Sequence, residues 1–553
     1  MSATTQQNVP PDGTGTVVGH LDDLAVAAMK MVKVDGHRIC LVRTSEGVFA
    51  LDQACPHEGY GLTTGELDGN LVTCAWHNWK FRVTDGVCVL GEENVRTYPV
   101  AVDGDGTLSV AFSQPDPSEL RPQLLTSLRH GIEKDYVGQV SRDIVRLLRA
   151  DTNPGELIWE AVAYGAPRAE FGWGHAIASL TDCLSMVDHY DNDDRALPIV
   201  QAIAGVAEVE RDRPVQALPT PVVSMPPDGR GEFRRLVEAE QLAPAQSLLR
   251  GALHTGATAE QLRPWFTDVV SDHLLSYGHG AIYVQKAFEL LDRIGWERAD
   301  TVLPHLVPRL VYGTREDKLP YMTLFHRGLR QLDLNGLAEA VSDPNEGWAD
   351  DGRLSSALLG GDRTEAALAT GAAFAGGAPI DSVLDVVVSA VTERMLRYDP
   401  AGEFDFHDDF GWLDITHGLT YAHAARWHAT DRPVTPDLIR LVLWTAFLAN
   451  WTGRHEWHSG VGQRAEVESR SSDLLAYGRS LQHEALLDGT TAFIVHAHAV
   501  KMSVAATDEA IRLGSSLPLD ATARFMAAPK LERFVAATVT RSIDFLSGRV
   551  QRD

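Results

Sequence analysis

Four residues near the N-terminus constrain this chain more than any other feature. Cys55-Pro56-His57 is followed, after sixteen residues, by Cys74-Ala75-Trp76-His77. This spacing brings two thiolates and two imidazoles to one point, so the chain around them has to fold as two loops held side by side. Two cysteines with two histidines is also a zinc set, but Cys-x-His paired with Cys-x2-His between β-hairpins is not the spacing of a zinc finger. The set suits a [2Fe-2S] centre in which one iron keeps its cysteines and the other takes histidines.

The flanking sequence supports a small antiparallel β-domain. Met31-Val32-Lys33-Val34, Arg38-Ile39-Cys40-Leu41-Val42 and Val48-Phe49-Ala50-Leu51 are β-type runs divided by Asp35-Gly36 and Glu46-Gly47. Beyond the second loop, Lys80–Val83, Val87–Leu90, Arg96–Val102 and Thr107–Val110 continue the pattern, with Asp85-Gly86 and Asp103-Gly104-Asp105-Gly106 as hairpin turns. With these strands, Cys55-Pro56-His57-Glu58-Gly59 and Cys74-Ala75-Trp76-His77-Asn78-Trp79-Lys80-Phe81 resemble a Rieske ferredoxin-type domain over residues 16–113. The resemblance implies a [2Fe-2S] cofactor on Cys55, His57, Cys74 and His77, working as a one-electron relay whose potential depends on pH. The family usually has Pro before the Trp and Gly after the last His. Here these are Ala75 and Asn78, and Asn tolerates the left-handed backbone that a Gly would supply. Some members carry an extra disulfide between the loops, at the positions of Tyr60 and Trp76 here.

Composition sets the bounds. The 553 residues are 44% hydrophobic and 22% charged, with a net charge of −26. That acidity argues against nucleic-acid binding, and no stretch reaches the ~20 apolar residues of a membrane span. Residues 1–15 read as a disordered tail without signal-peptide character, which points to a cytoplasmic protein. Of five cysteines, Cys40, Cys88 and Cys183 lie outside the loops and read as buried free thiols.

After a Pro-containing linker at 114–124 the pattern changes to helical spacing, so the fold class is a small β-domain followed by an all-α domain over 125–553. Ile203–Arg211, Pro244–Leu253, Val284–Ile294, Val383–Arg397, Leu438–Leu448 and Leu531–Leu546 read as helices, and Pro214–Gly231 as a long loop or gate. Weak repeats run through this region. Gly251–Ala257 precedes Gly278-His279-Gly280, Gly371–Ala378 precedes Thr416-His417-Gly418, Glu160–Gly165 precedes Gly174-His175-Ala176, and Glu484–Gly489 precedes Ala497-His498-Ala499. Equivalent positions converge if the repeats pack about one axis. His175, His279, His417 and His498 are therefore candidate metal ligands, with Glu160, Glu484 and His254 as further donors. His273, His407, His423 and His496 are secondary candidates; Trp444, Trp451, His455 and His458 read as core or pocket wall.

The ring-hydroxylating oxygenases pair a Rieske domain with an α/β domain holding two His and one Asp. The nearest stretch here, Asp268 to His273 with His279, has the wrong spacing in helical surroundings. Asp414-Ile415-Thr416-His417-Gly418-Leu419-Thr420-Tyr421-Ala422 is similar, over that motif only, to questin oxidase-like proteins, helical oxygenases of polyketides. There is no Gly-x-Gly-x-x-Gly after a strand and no Walker loop, so electrons should come from an external reductase or ferredoxin. The expected function is an iron–sulfur oxidoreductase of monooxygenase type. Its cluster would feed a His-rich site, additional non-haem iron, where O2 meets a small organic substrate. The alternative is a helical-repeat scaffold carrying a Rieske redox sensor or electron carrier, with structural histidines.

Overall fold

The computed structural model describes residues 15–112, 117–407, 410–453, 456, 464–465 and 467–549. The chain divides into two compact units, Met1–Asp151 and Thr152–Asp553. Residues 1–14 of the expected tail, and His455 and His458, lie outside the described residues.

The first unit holds three antiparallel sheets. One joins β1 (Thr16–His20), β11 (Thr107–Val110) and β10 (Val100–Val102); another joins β2 (Ala28–Val34), β3 (His37–Arg43), β4 (Val48–Asp52) and β9 (Thr97–Tyr98). The third, β5 (Glu66–Asp68), β6 (Leu71–Thr73), β7 (Lys80–Arg82) and β8 (Cys88–Leu90), lies between and after the ligand loops. Asp35 and Gly36 both take positive φ (49° and 85°), the tight hairpin turn that Asp-Gly favours.

Strand β3 shows how the sequence builds two cores. Side chains alternate across a strand, so Ile39 and Leu41 join Val34, Ala50 and Val110 on one side. Cys40 and Val42 join Leu51, Phe81, Cys55 and Cys74 on the other. A strand buried on both faces needs apolar residues at consecutive positions, and Ile39 to Val42 supplies four. The second core is the floor under the ligand loops.

The stretch expected to be a linker is mostly helix, because α1 spans Pro117–Lys134. Proline at the first helical position gives up no internal hydrogen bond. Leu128 and Ile132 of α1 are buried where it packs on α2 (Val137–Arg149), whose Val140, Ile144 and Leu147 are buried too. Buried Glu93 binds Arg142 and Arg146 of α2. Thus both helices belong to the first compact unit, and the second starts near residue 152 instead of 125.

The second unit is helical among its described residues. Expected helices lie within Leu242–His254, His279–Ile294, Ile380–Arg397 and Pro436–Trp451; Ile203–Arg211 ends one residue early, in Ala196–Glu210, and the last is shorter than expected, Val535–Leu546. Pro214–Asp228 is irregular, and it is fastened rather than free: Gln216 N–H donates to Pro167 O, Val222 N–H to Ser247 O and Arg250 to Pro219 O. Among the described residues no helix is long and apolar enough to cross a membrane.

Candidate metal centres

The first centre sits on two loops of the same conformation. Cys55 N–H donates to Tyr60 O and Cys74 N–H to Trp79 O, both at 2.8 Å, so each loop closes five residues after its cysteine. The fourth residue after each cysteine is left-handed, Gly59 at φ 78° and Asn78 at φ 62°. Asparagine takes the role of the family's glycine, as the sequence suggests. Cys55 and Cys74 are buried with their thiols in hydrogen-bonding reach of each other. His57 and His77 are exposed, with their Nδ1 atoms 2.8 Å apart. Glu58, unremarked in the sequence, brings a carboxylate to this histidine pair, while no cysteine sulfur joins that group. Sulfurs inside and nitrogens outside is the order that two irons with different ligands require. Behind the pair, Trp79 stacks on His57 at 4.7 Å, and the free Cys40 lies in the core below. Cys183 is buried as well, whereas Cys88 is only half-buried.

Tyr60 and Trp76, one from each loop, stack face to face with centroids 4.6 Å apart. The two loops are thus tied by an aromatic pair where some Rieske domains use a disulfide. Such a pair contributes ~1 kcal/mol beyond its buried area. Trp76→Ala should lower the midpoint for thermal loss of cluster absorption by roughly 4 °C, and Trp76→Phe should keep most of the difference. An unchanged midpoint in Trp76→Ala would show that the stack holds nothing.

The second centre is where His175, His279, His417 and His498 meet. His175 opens the helix His175–Met186 and His279 opens His279–Ile294. His417 and His498 instead sit one turn and more inside Trp412–Ala429 and Phe493–Leu513. Those two helices begin five residues before their histidine. Buried Glu403 accepts from Trp412 N–H and Asp414 from Gly411 N–H, so two carboxylates cap the His417 helix. The Nε2 atoms converge: His175 to His498 at 2.9 Å, His175 to His279 at 3.2 Å and His279 to His417 at 3.0 Å. The four imidazoles form one group with all ligand atoms within 4.8 Å.

Each Nδ1 is held from behind. His279 Nδ1 donates to Ser276 O at 2.5 Å and His417 Nδ1 to Leu413 O at 2.6 Å. His498 Nδ1 pairs with Thr416 Oγ1 at 3.0 Å and His175 Nδ1 with the Tyr283 hydroxyl at 3.2 Å. A carbonyl only accepts, so His279 and His417 carry their proton on Nδ1 and present a bare Nε2. The Ser276 carbonyl is aimed by an unusual turn in which Ser276, Tyr277 and Gly278 all have positive φ (46°, 58° and 99°). Burial holds all four imidazoles neutral, and with Lys501 pushes His417 down to about 3.

Glu160, Glu484 and His254 do not join this group. The buried stripe of Leu474–Leu486 is Tyr477, Gly478, Leu481, Gln482, Ala485 and Leu486, and Glu484 sits half-exposed at its edge against Arg470 at 2.5 Å. Glu160 is likewise off the buried face of Pro154–Gly165. His254 ends its helix half-exposed, 3.2 Å from Asp300. Of the secondary candidates, His273 pairs with Glu238 and Asp317, His407 with Asp544 and His423 with Glu509. His496 is half-buried outside the group.

The sequence reading missed Tyr283 and Lys501. They lie four residues after His279 and three after His498, positions that helical periodicity puts on the ligand face. Lys501 is 2% exposed, and burial pulls its amine down to about 7.

A Rieske [2Fe-2S] domain model matches residues 14–99. The ferredoxin component of the naphthalene 1,2-dioxygenase/salicylate 5-hydroxylase systems of Ralstonia sp is 31% identical over 85 residues, which is 15% of this chain and 82% of that protein. Cholesterol 7-desaturase of Xenopus laevis is 40% identical over 55 residues, 10% of this chain and 12% of that one. Among solved structures, the ferredoxin of carbazole 1,9a-dioxygenase from Nocardioides aromaticivorans IC177 is 28% identical, with 18% of this chain and 100% of that one covered and a TM-score of 0.18. Loop geometry, ligand set and sequence agree: through residues 14–99 the chain belongs to the Rieske [2Fe-2S] proteins, with a large helical part following.

Proposed function

We propose that this chain is an oxidoreductase in which the Rieske cluster feeds single electrons to a metal held by His175, His279, His417 and His498, where O2 oxidises a small organic substrate. One observation carries the reading. The bare Nε2 atoms of His279 and His417 face each other at 3.0 Å, with both Nδ1 protons committed to carbonyls. Two lone pairs at that distance repel unless a cation lies between them, and two more imidazole nitrogens point to the same place. Hydrogen bonds on the outer nitrogen are the usual support of histidine ligands.

Imidazole suits iron, zinc, copper and nickel. Zinc has no use for electrons, so a centre coupled to a Rieske cluster calls for a redox metal, and iron is the one we propose. Iron on this set would supply O2 activation, and the [2Fe-2S] cluster one-electron transfer. The chain's own contribution is to fix four ring orientations and exclude water around them. Reducing power would come from an external reductase or ferredoxin. A cytoplasmic setting, where thiols stay reduced, suits the five free cysteines. The desaturase resemblance spans 12% of that protein, so it supports redox use of the Rieske part and nothing about substrate.

Metal analysis of the purified full chain tests the reading. About three irons per chain are expected, two in the cluster and one beyond it. Two irons and no other metal would sink the second centre.

A further inference from the structure

We infer that the four-histidine centre is built to receive an anion, and that its substrate is an organic acid whose carboxylate is met by Lys501. The inference rests on the metal reading above and deepens it.

Charge is the starting point. The four ligands are neutral, and no carboxylate belongs to the group. A divalent metal there would be a buried double charge with no negative partner among its ligands, which a low-dielectric interior tolerates badly. The protein charges that act most on the imidazoles make matters worse, because they are cations. Lys501 acts on all four, and Arg309 on His175 and His279. Asp182 is the carboxylate that acts on Lys501; its Oδ1 is 2.8 Å from Lys286 Nζ, its Oδ2 makes no hydrogen bond among the described residues, and it forms no ion pair with Lys501.

Lys501 itself has an aromatic ring, Tyr283, as its neighbour and, among the described residues, no ionic partner. It is buried, its Nζ lies 5.7 Å from the centroid of the Tyr283 ring, and among the described residues it makes no hydrogen bond or ion pair. Tyr283 also touches His175, so the ammonium lies beside the centre. A metal on the four imidazoles with an ammonium beside it presents two positive charges, and a carboxylate satisfies both.

Cu(II) in the full chain, with its cluster oxidised, gives a direct readout. The two ferric ions of an oxidised [2Fe-2S] cluster couple to an EPR-silent state, so the copper spectrum reports the histidines alone. Azide and benzoate are the anionic probes and imidazole the neutral one. Both anions should shift the wild-type spectrum saturably. K501M should weaken them by about ten- to a hundredfold, the loss of one charge-assisted hydrogen bond. K501R should bind them nearly as well as wild type, and imidazole should be indifferent to either change. Intact nitrogen coupling with equal anion affinity in K501M and wild type overturns the anion reading alone. Absence of a saturable shift with either anion in the wild-type chain does the same, and this observation needs no variant to fold. A copper signal without coupling to several nitrogens overturns both the anion reading and the metal reading beneath it.

Discussion

Changing His279 and His417 together to alanine empties the helical unit of metal and leaves the visible and EPR spectra of the cluster as they were. Structural metal sites with four protein ligands bind with ~10–16 kcal/mol, so each imidazole carries roughly 3 kcal/mol. Losing two weakens affinity by on the order of 10⁴-fold. The cluster ligands all lie within residues 55–77, in the other compact unit, and are untouched. Stability separates this outcome from the scaffold alternative. A metal that binds only the folded state stabilises it, so a chelator should lower the melting temperature of the wild-type chain and not that of the variant. Without metal the variant should be no less stable than wild type, because it no longer forces lone pairs together. If the histidines were structural, the variant would melt lower, metal content would not change, and a chelator would leave the wild-type midpoint alone.

Glu509→Ala should destabilise the helical unit by ~3–5 kcal/mol, since removing one member of a buried ion pair leaves the others uncompensated. Glu509 is 1% exposed on the His498 helix and pins the His417 helix through His423 at 3.1 Å and Arg426 at 2.8 Å. Arg426 continues to Asp381 and Asp385, both at 2.8 Å. Burial alone would raise the Glu509 carboxyl; His423 and Arg426 outweigh it and hold it at about 2. A depressed carboxylate contributes stability that is whole above its unfolded value near 4.5 and is lost as pH falls toward about 2, worth roughly 3 kcal/mol. On the other side, burial opposes the charge on His423, but Glu509 and Asp508 raise it above 6.5. That share is whole below 6.5 and fades as pH rises through the raised value. Denaturant melts across pH should therefore show a plateau between roughly 4.5 and 6.5, and Glu509→Gln should flatten its acid edge. An acid edge identical in Glu509→Gln and wild type would refute this account.

The ligand loops were legible because their chemistry is local: two short motifs at fixed spacing, with Asn78 as a tolerable substitute for glycine. The four histidines were legible for a different reason, since a His flanked by small residues recurs in the sequence, although two of them open their helices and two sit a turn inside. Glu160, Glu484 and His254 were misjudged because sequence order brings them near a ligand, whereas the buried stripe of each helix turns them away. Lys501 and Tyr283 went unseen although their offsets from His498 and His279 are helical. A lone lysine in an apolar helix gives no sign of burial until neighbouring helices close over it. The helix from Pro117 was hidden by its own prolines, which read as linker until tertiary packing decides.

The hydrogen bonds behind the histidines divide the second centre into two halves. His279 and His417 are aimed by carbonyls just upstream of them in their own chain segments. His175 depends on Tyr283, a residue of the His279 helix, and His498 depends on Thr416, a residue of the His417 helix. Each half is therefore a leader and a follower. The leader's ring is set by local backbone, and the follower's ring is set only after the leader's helix has docked. Transplanting the centre to another scaffold would require moving two helix pairs, each with its one orienting hydroxyl, and not four separate histidines.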